Sequence, residues 1–319
     1  MIQSLKKIIK VEIAFYLIVA ILSILTSCKK DKSSKDLALN TTTNIPLNNN
    51  SEEIKQLSQE FKNYWYAGEA EISSYKLEQA RYGEIRNGQA VLIYVTEDFL
   101  PKVQVKADRQ SGKNVPVLKL NATKKFNTGI YPYSIMQSTF YPVSNDKHAI
   151  KISSSMQEWC GHVYSQLNNK KQFEIMSHSY FEGEADKSFN LDKAILENEL
   201  WTQLRIDPKS LPTGDLEIIP SFEYSRLRHV PIKAYKATAV LANGTYSLNY
   251  PSLNRTLIIN FNPNFPYSIL GWEETFKSGF GSNAKELTTK ATKLKTIKSA
   301  YWGKNHNKDE ILRDTLQLN

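Results

Sequence analysis

"AYKATAVLANGTYSLNYPSLNRTLIINF", residues 234–261, reads as three strands joined by two tight turns. Asn243-Gly244 stands between two runs in which apolar and polar residues alternate, the strongest short-range signal of a β-hairpin. Pro251 to Asn254 supplies the second turn, before a run rich in β-branched residues. The same pattern recurs outward along the chain. "HVYSQLNNKKQFEIMSHSYFEGEA" (162–185) predicts a hairpin around Asn168 to Lys171, and "QARYGEIRNGQAVLIYVTEDF" (79–99) predicts another at Asn87-Gly88. Between them lie short runs of Tyr, Ile, Val, Phe and Thr: "VPVLKL", "YSIMQSTFYPV", "HAIKISSS" and "LEIIPSFEYSRL". No βα alternation and no solenoid or propeller period interrupts this. The predicted fold is mainly β: a large curved antiparallel sheet or partly closed barrel with two or three packed helices.

Two helices stand out. "SEEIKQLSQEFKNYWYAG" (51–68) has Ser51 as a cap, acids in the first turn, and Ile54, Leu57, Phe61, Tyr64 and Trp65 along one face, with Gly68 as the stop. "NLDKAILENELWTQLR" (190–205) predicts a second, capped by Asn190, with Leu196, Leu200 and Leu204 on one stripe and "DPKSLPTG" ending it.

The N-terminus has a different character. Lys6, Lys7 and Lys10 precede an apolar stretch from Ile13 to Leu25. That stretch is shorter than the ~20 residues of a membrane-spanning helix. A basic start, a short apolar middle and then small residues read as an export signal over 1–27. "LTSC" (25–28) resembles the lipobox of bacterial lipoproteins, which implies cleavage before Cys28 and lipid on its thiol. Removing the signal lowers the formal net charge from +9 to +7 and leaves Cys160 as the only other cysteine, so no internal disulfide is expected. Residues 29–50 are polar and rich in Asn, Thr, Ser and Lys, so 28–50 reads as a lipidated cysteine with a flexible tether. The expected organisation is then a β-rich domain over 51–283 and a basic C-terminal segment over 284–319, a final strand or helix plus a polar tail. The expected location is the cell envelope, lipid-anchored at the outer membrane and facing the periplasm. The lipid bilayer is the expected partner, and nucleic acid is not.

Five stretches, "YWYAGEAEISSYKLEQARYGE", "TGIYPYSIMQSTFYPV", "SSMQEWCGHVYSQLNN", "SHSYFEGEAD" and "FPYSILGWEETFKSGFG", resemble a Bacteroidetes family of lipoproteins of unknown biochemical role. The resemblance covers most of the chain beyond Cys28. Members of that family often carry the label septum formation inhibitor Maf. Maf nucleotide pyrophosphatases have a Ser-rich, Arg-Arg phosphate-binding motif near the N-terminus. This chain has no such motif, so the resemblance implies an envelope lipoprotein and no pyrophosphatase chemistry.

The densest polar constellation is "EWCGHVYSQ" followed by "SHSYFEGEAD". On a strand, Glu158, Cys160, His162, Tyr164 and Gln166 share one face, and on the next His178, Tyr180, Glu182 and Glu184 share another. His162, His178, Glu182 and Glu184 are candidate metal ligands, and Cys160 with His162 or His178 a candidate nucleophile and base. Their spacing matches no standard zinc or catalytic motif. Register decides whether the two rows meet, since a slip of one residue flips a strand. The other reading makes them satisfied or solvated side chains. Gly-rich phosphate loops and GxSxG elbows are absent from the sequence. Arg226, Arg228 and His229 in "YSRLRHVP" read either as an anion site or as solvated charges on a strand edge. Residues 285–304 hold six lysines and one glutamate, so Lys290, Lys293, Lys295 and Lys298 are candidates for contact with an anionic surface; the alternative is an edge strand guarded by lysines. Two functions remain open. One is a non-catalytic binding or carrier module for an apolar or amphipathic ligand, needing no cofactor. The other is an envelope hydrolase or metalloenzyme built on His162 and His178.

Overall fold

The computed structural model describes residues 56–144 and 147–318. The export signal, Cys28, the tether, Ser51 and Ile54 lie outside the described residues. The first described helix is α1 (Gln59–Trp65), capped by Ser58 in place of Ser51. Strands β1 (Ala70–Arg81), β2 (Glu84–Leu100), β3 (Val105–Lys106), β4 (Val115–Thr128), β5 (Tyr131–Pro142), β6 (Lys151–Glu158), β7 (Gly161–Asn169), β8 (Phe173–Ser179) and β9 (Lys187–Leu191) follow. After β10 (Ile195–Leu196) comes helix α2 (Glu197–Ile206), then β11 (Gly214–Ile219) and helix α3 (Phe222–Arg228). Strands β12 (Tyr235–Ala242), β13 (Thr245–Tyr250), β14 (Arg255–Phe261), β15 (Ile269–Ser278) and β16 (Lys285–Ser299), then α4 (Ile311–Thr315), complete the chain.

All sixteen strands belong to one sheet, ordered β10-β11-β12-β13-β14-β15-β16-β1-β2-β4-β5-β6-β7-β8-β9, with β3 on the flank of β2. Every pairing is antiparallel except β10 with β11. The sheet is not closed: β9 and β10 are its two ends. It nevertheless curves around α2, because α2 is hydrogen-bonded to β1, β2 and β5 on one half and to β13 and β14 on the other. The main core unites Trp65, Tyr75, Tyr94 and Leu118 with Leu200, Leu204, Tyr246, Tyr250 and Trp272 between the two halves. The expectation of a mainly β, strongly curved sheet with packed helices holds.

The details of the turns differ from the expectation in instructive ways. Asn243-Gly244 is a two-residue turn, with Gly244 at φ +79°, and Asn254 closes the next turn in the left-handed region. Asn87-Gly88, in contrast, lies within β2, and the β1–β2 turn is Tyr82-Gly83, both at positive φ. Gly88 serves close approach instead: a Cβ there would lie 2.3 Å from the Lys125 carbonyl oxygen on β4. The predicted helix from Asn190 begins only at Glu197, because residues 187–191 pair with β8 as a strand. "FEYSRLR" is the helix α3 where a strand was expected. β16 is a strand as expected, but not an edge. It pairs with β15 on one side and β1 on the other, so it joins the two ends of the chain in the middle of the sheet.

Helix α2 explains why a single apolar stripe did not describe it. Leu200 and Leu204 are buried, but so are Glu197, Asn198, Glu199, Thr202 and Arg205. A helix with solvent on one side keeps its charges there; this one is held between the two halves of the sheet, so its buried charges carry partners. Arg205 makes a two-armed pair with Glu71 of β1, both arms 2.7 Å, and Tyr64 of α1 also donates to Glu71. At the other end Glu197 is paired with Arg255 of β14 and accepts from Tyr250 at 2.8 Å. An acid near the helix N-terminus and a base near its C-terminus both agree with the helix dipole.

Candidate functional site

The sheet's interior holds only a small cavity, about 50 Å³, between α2, α3 and the walls. At ~30 Å³ per water it has room for one or two water molecules and none for a lipid chain. Leu92, Leu120, Trp201 and Trp272 line it together with paired polar groups: Glu223 meets Lys124 at 2.6 Å and Gln137 at 2.9 Å, and Arg255 Nε bonds Glu274 at 2.7 Å. Three carboxylates, Glu197, Glu223 and Glu274, face two cations, Lys124 and Arg255. Burial alone would raise Glu197, but the Arg255 charge and hydrogen bonds overcome it and hold the carboxyl below its ordinary range. Glu223 goes the other way: burial raises it, Lys124 opposes, and the Glu274 charge adds to the rise.

A second recess has more room. A cleft of about 380 Å³ lies between the inner face of β7, β8 and β9 and the roof made by α3 with residues 229–232. That volume falls in the ~300–1,000 Å³ range of small-molecule sites. Alternation puts Val163 and Ser165 of β7, Ser177 of β8, and Lys187, Phe189 and Leu191 of β9 on this face. Phe222, Val230, Pro231 and Ile232 supply the apolar roof. The polar end is built from two segments distant in sequence. Glu184, in the β8–β9 turn, accepts from His229 Nδ1 at 2.7 Å and from Ser179 at 2.6 Å. Arg226 Nη1 reaches the same carboxylate at 3.4 Å and His229 Nε2 at 3.3 Å, while its guanidinium stacks over Phe181 at 4.2 Å. Burial raises Glu184, but Ser179, His229 and Arg226 together bring it below its ordinary value. Burial is also the main influence on Arg226, and it lowers that guanidinium. Two donors at this end lack a partner among the described residues: Ser225 Oγ, on a residue 3% exposed, and Arg226 Nε.

The histidines singled out in the sequence do not enter this cleft. Strand β6 ends at Glu158 and β8 at Ser179, so Cys160, Tyr180, Glu182 and Glu184 lie in turns and not in the two predicted rows. His162 and His178 share the outer face of β7–β8, with Tyr164 opposite His178, and both are exposed. His178 has Asp186 at 3.3 Å, Glu182 points to solvent, and Glu184 belongs with His229 and Arg226. Cys160 is exposed, and a hydrogen bond to the Glu158 carboxylate pushes its thiol up, against formation of a thiolate. Among the described residues no group of three or more His, Cys, Asp or Glu is placed to hold a metal ion.

The four lysines of β16 do not form one patch either. Lys290 faces Glu273 at 3.1 Å and Lys295 is exposed. Lys298 is turned to α1, where Nζ donates to the Tyr64 carbonyl at 2.7 Å and lies over the Tyr64 ring. Lys293 is half-buried and lowered by burial, within the field of Glu71 and Arg205. A bulge opposite Ser74/Tyr75, at Leu294, changes the alternation between Lys293 and Lys295. The sequence had offered Arg226 and His229 as an anion site; their partner Glu184 and the cleft they close came from the fold.

No protein-family model matches the chain, and no curated protein does. Among solved structures the chain is similar to a crystal structure described as a beta-barrel-like protein of domain of unknown function DUF1849 from Brucella abortus. Identity is 7%, the match covers 72% of this chain and 97% of that chain, and the TM-score is 0.41.

Proposed function

We propose that this protein is a non-catalytic binding or carrier module of the cell envelope, held at the membrane by lipid on Cys28, which takes an apolar or amphipathic ligand in the β7–β9/α3 cleft. The carrying observation is the difference in room between the two recesses: about 50 Å³ between paired charges inside the sheet, and about 380 Å³ under an apolar roof at its free end. The "LTSC" sequence and the resemblance to envelope lipoproteins of unknown role support the location. The Maf label finds no support in the residues.

The cleft is tested with Nile red and the full chain carrying Cys28→Ala, which lacks the lipid. Nile red fluorescence should rise and shift to the blue on binding. Ile232→Asp, in the cleft roof, should weaken binding more than about tenfold, since a buried unpaired carboxylate costs several kcal/mol. Failure of the unsubstituted cleft to bind, or equal binding by both proteins, would overturn the assignment. The anchor is tested by fatty-acid labelling in cells: wild type takes up label, Cys28→Ala does not, and an unlabelled wild type would refute it.

A further inference from the structure

Resting on that reading, we propose that the cleft is specific for amphiphiles with an oxyanion head, held at its α3 end by Arg226 and Ser225. Three independent features of that end agree. The charges do not cancel: Lys187 and Arg226 face Glu184 alone. Arg226 spends Nη1 on Glu184 and His229, while its Nε has no partner among the described residues. Nε lies on the guanidinium edge that, together with Nη2, grips a carboxylate or phosphate in two places. Ser225, one residue earlier on the same helix, adds a buried hydroxyl that also lacks a partner. Buried donors normally have partners, and an oxyanion supplies acceptors for all of them at once. A neutral hydroxyl head accepts through one oxygen and brings no charge to offset the guanidinium, and a cationic head adds a repelling charge.

For the tail, Phe189 and Leu191 of β9 and Phe222 and Ile232 of the roof give the cleft its apolar lining. The Phe181 ring over the guanidinium and the Glu184 carboxylate hold Arg226 in place before any ligand arrives, which reduces the ordering cost of binding.

The test is displacement of Nile red from the Cys28→Ala chain by dodecanoate, dodecyl phosphate, dodecanol and dodecylammonium, four heads on one tail. Dodecanoate or dodecyl phosphate should displace at least about tenfold better than dodecanol, the scale of one charge-assisted hydrogen bond. The relative strength of the two anions tells which oxyanion geometry fits. Arg226→Gln should bring anion and alcohol to within about twofold. Arg226→Lys should keep part of the preference by charge alone, and Ser225→Ala, which leaves the helix intact, should reduce it severalfold. Equal displacement by dodecanol and both anions in wild type would overturn the head-group assignment while leaving the binding function standing. So would a preference that persists in Arg226→Gln. If Arg226→Gln loses all four amphiphiles equally, the Ser225→Ala ratio decides: an unchanged ratio overturns the assignment and a reduced one supports it. Absence of Nile red binding in wild type would instead refute the binding function itself.

Discussion

At the scale of single residues, the energetic weight of this protein lies in buried charges. Glu71 with Arg205, and Glu197 with Arg255, are ion pairs whose side chains are 1–2% exposed. Such pairs gain little over apolar residues of the same shape, yet losing one partner strands a charge, at about 3–5 kcal/mol. Glu71→Gln should therefore lose roughly that much in urea unfolding at pH 7, and a loss under about 1 kcal/mol would contradict the geometry. The pH dependence follows with definite sign. Burial raises Glu71 and Glu197, but their arginines hold both below the ordinary carboxylate range. The stabilisation they give is fully present above the unfolded value of ~4.3 and is lost as pH falls through the folded values. Wild type should thus lose stability below about pH 4, with a shallower acid limb in Glu71→Gln. Glu223 is raised instead, so its contribution is fully present below the unfolded value and lost as pH rises through the folded one. Glu223→Gln should cost less at pH 7 than Glu71→Gln, read from the same urea curves; an equal cost would refute the assignment of opposite shifts.

At the scale of elements, glycine chemistry separates turn from close approach. Gly88→Ala drives a methyl into the Lys125 carbonyl at 2.3 Å on the neighbouring strand. It should destabilise by more than about 2 kcal/mol, the range of overpacked sites, whereas Asn87→Ala, on an exposed residue, should stay within about 0.5 kcal/mol. Were Asn87-Gly88 the turn, the alanine at Asn87 would matter too; thermal melts of the two variants distinguish the cases. Asn243-Gly244 and Asn87-Gly88 are identical as dipeptides. One is a turn because its flanking runs end there. The other is crossed by β2 because Tyr82-Gly83 turns earlier, Asn87 and Gly88 pair with β1, and β4 pairs with the strand from Gly88 onward. The predicted start of α2 at Asn190 failed for a related reason: local capping chemistry lost to pairing of residues 187–191 with β8.

At the scale of the whole molecule, the sheet runs from one free end at β10 to the other at β9, and its middle is the junction of the last strand with the first among the described residues. β16 is hydrogen-bonded on both sides, and Leu316 beyond it packs on Ala70, Ile72 and Val95. Truncation after Ala284 should therefore abolish the cooperative melt, not trim a tail; a truncated protein that still melts cooperatively would disprove this. The outer face of β7–β8 should tolerate change. His162→Ala and His178→Ala should shift the melting temperature by less than about 2 °C, since exposed side chains contribute within ~0.5 kcal/mol. A chelator should add nothing to either. Bound zinc or iron at stoichiometric level in wild type, lost in either variant, would transfer the function to the metalloenzyme reading.

What the sequence alone determined is the class of structure: alternation with period two, turn residues at Asn243-Gly244 and Pro251–Asn254, and apolar stripes at Phe61–Trp65 and Leu200–Leu204 are local properties, and local sterics and hydrophobicity suffice to read them. What only the tertiary structure decided is everything that depends on which strand lies beside which. The centrality of β16, the burial of Glu197 and Arg205 on a helix held between the two halves of the sheet, and the meeting of Glu184 with Arg226 and His229 across some forty residues are of this kind. The physical reason is that a side chain's partner is set by sheet order and register, which arise from the free energy of the whole fold, while its neighbours in sequence constrain only its own strand or helix.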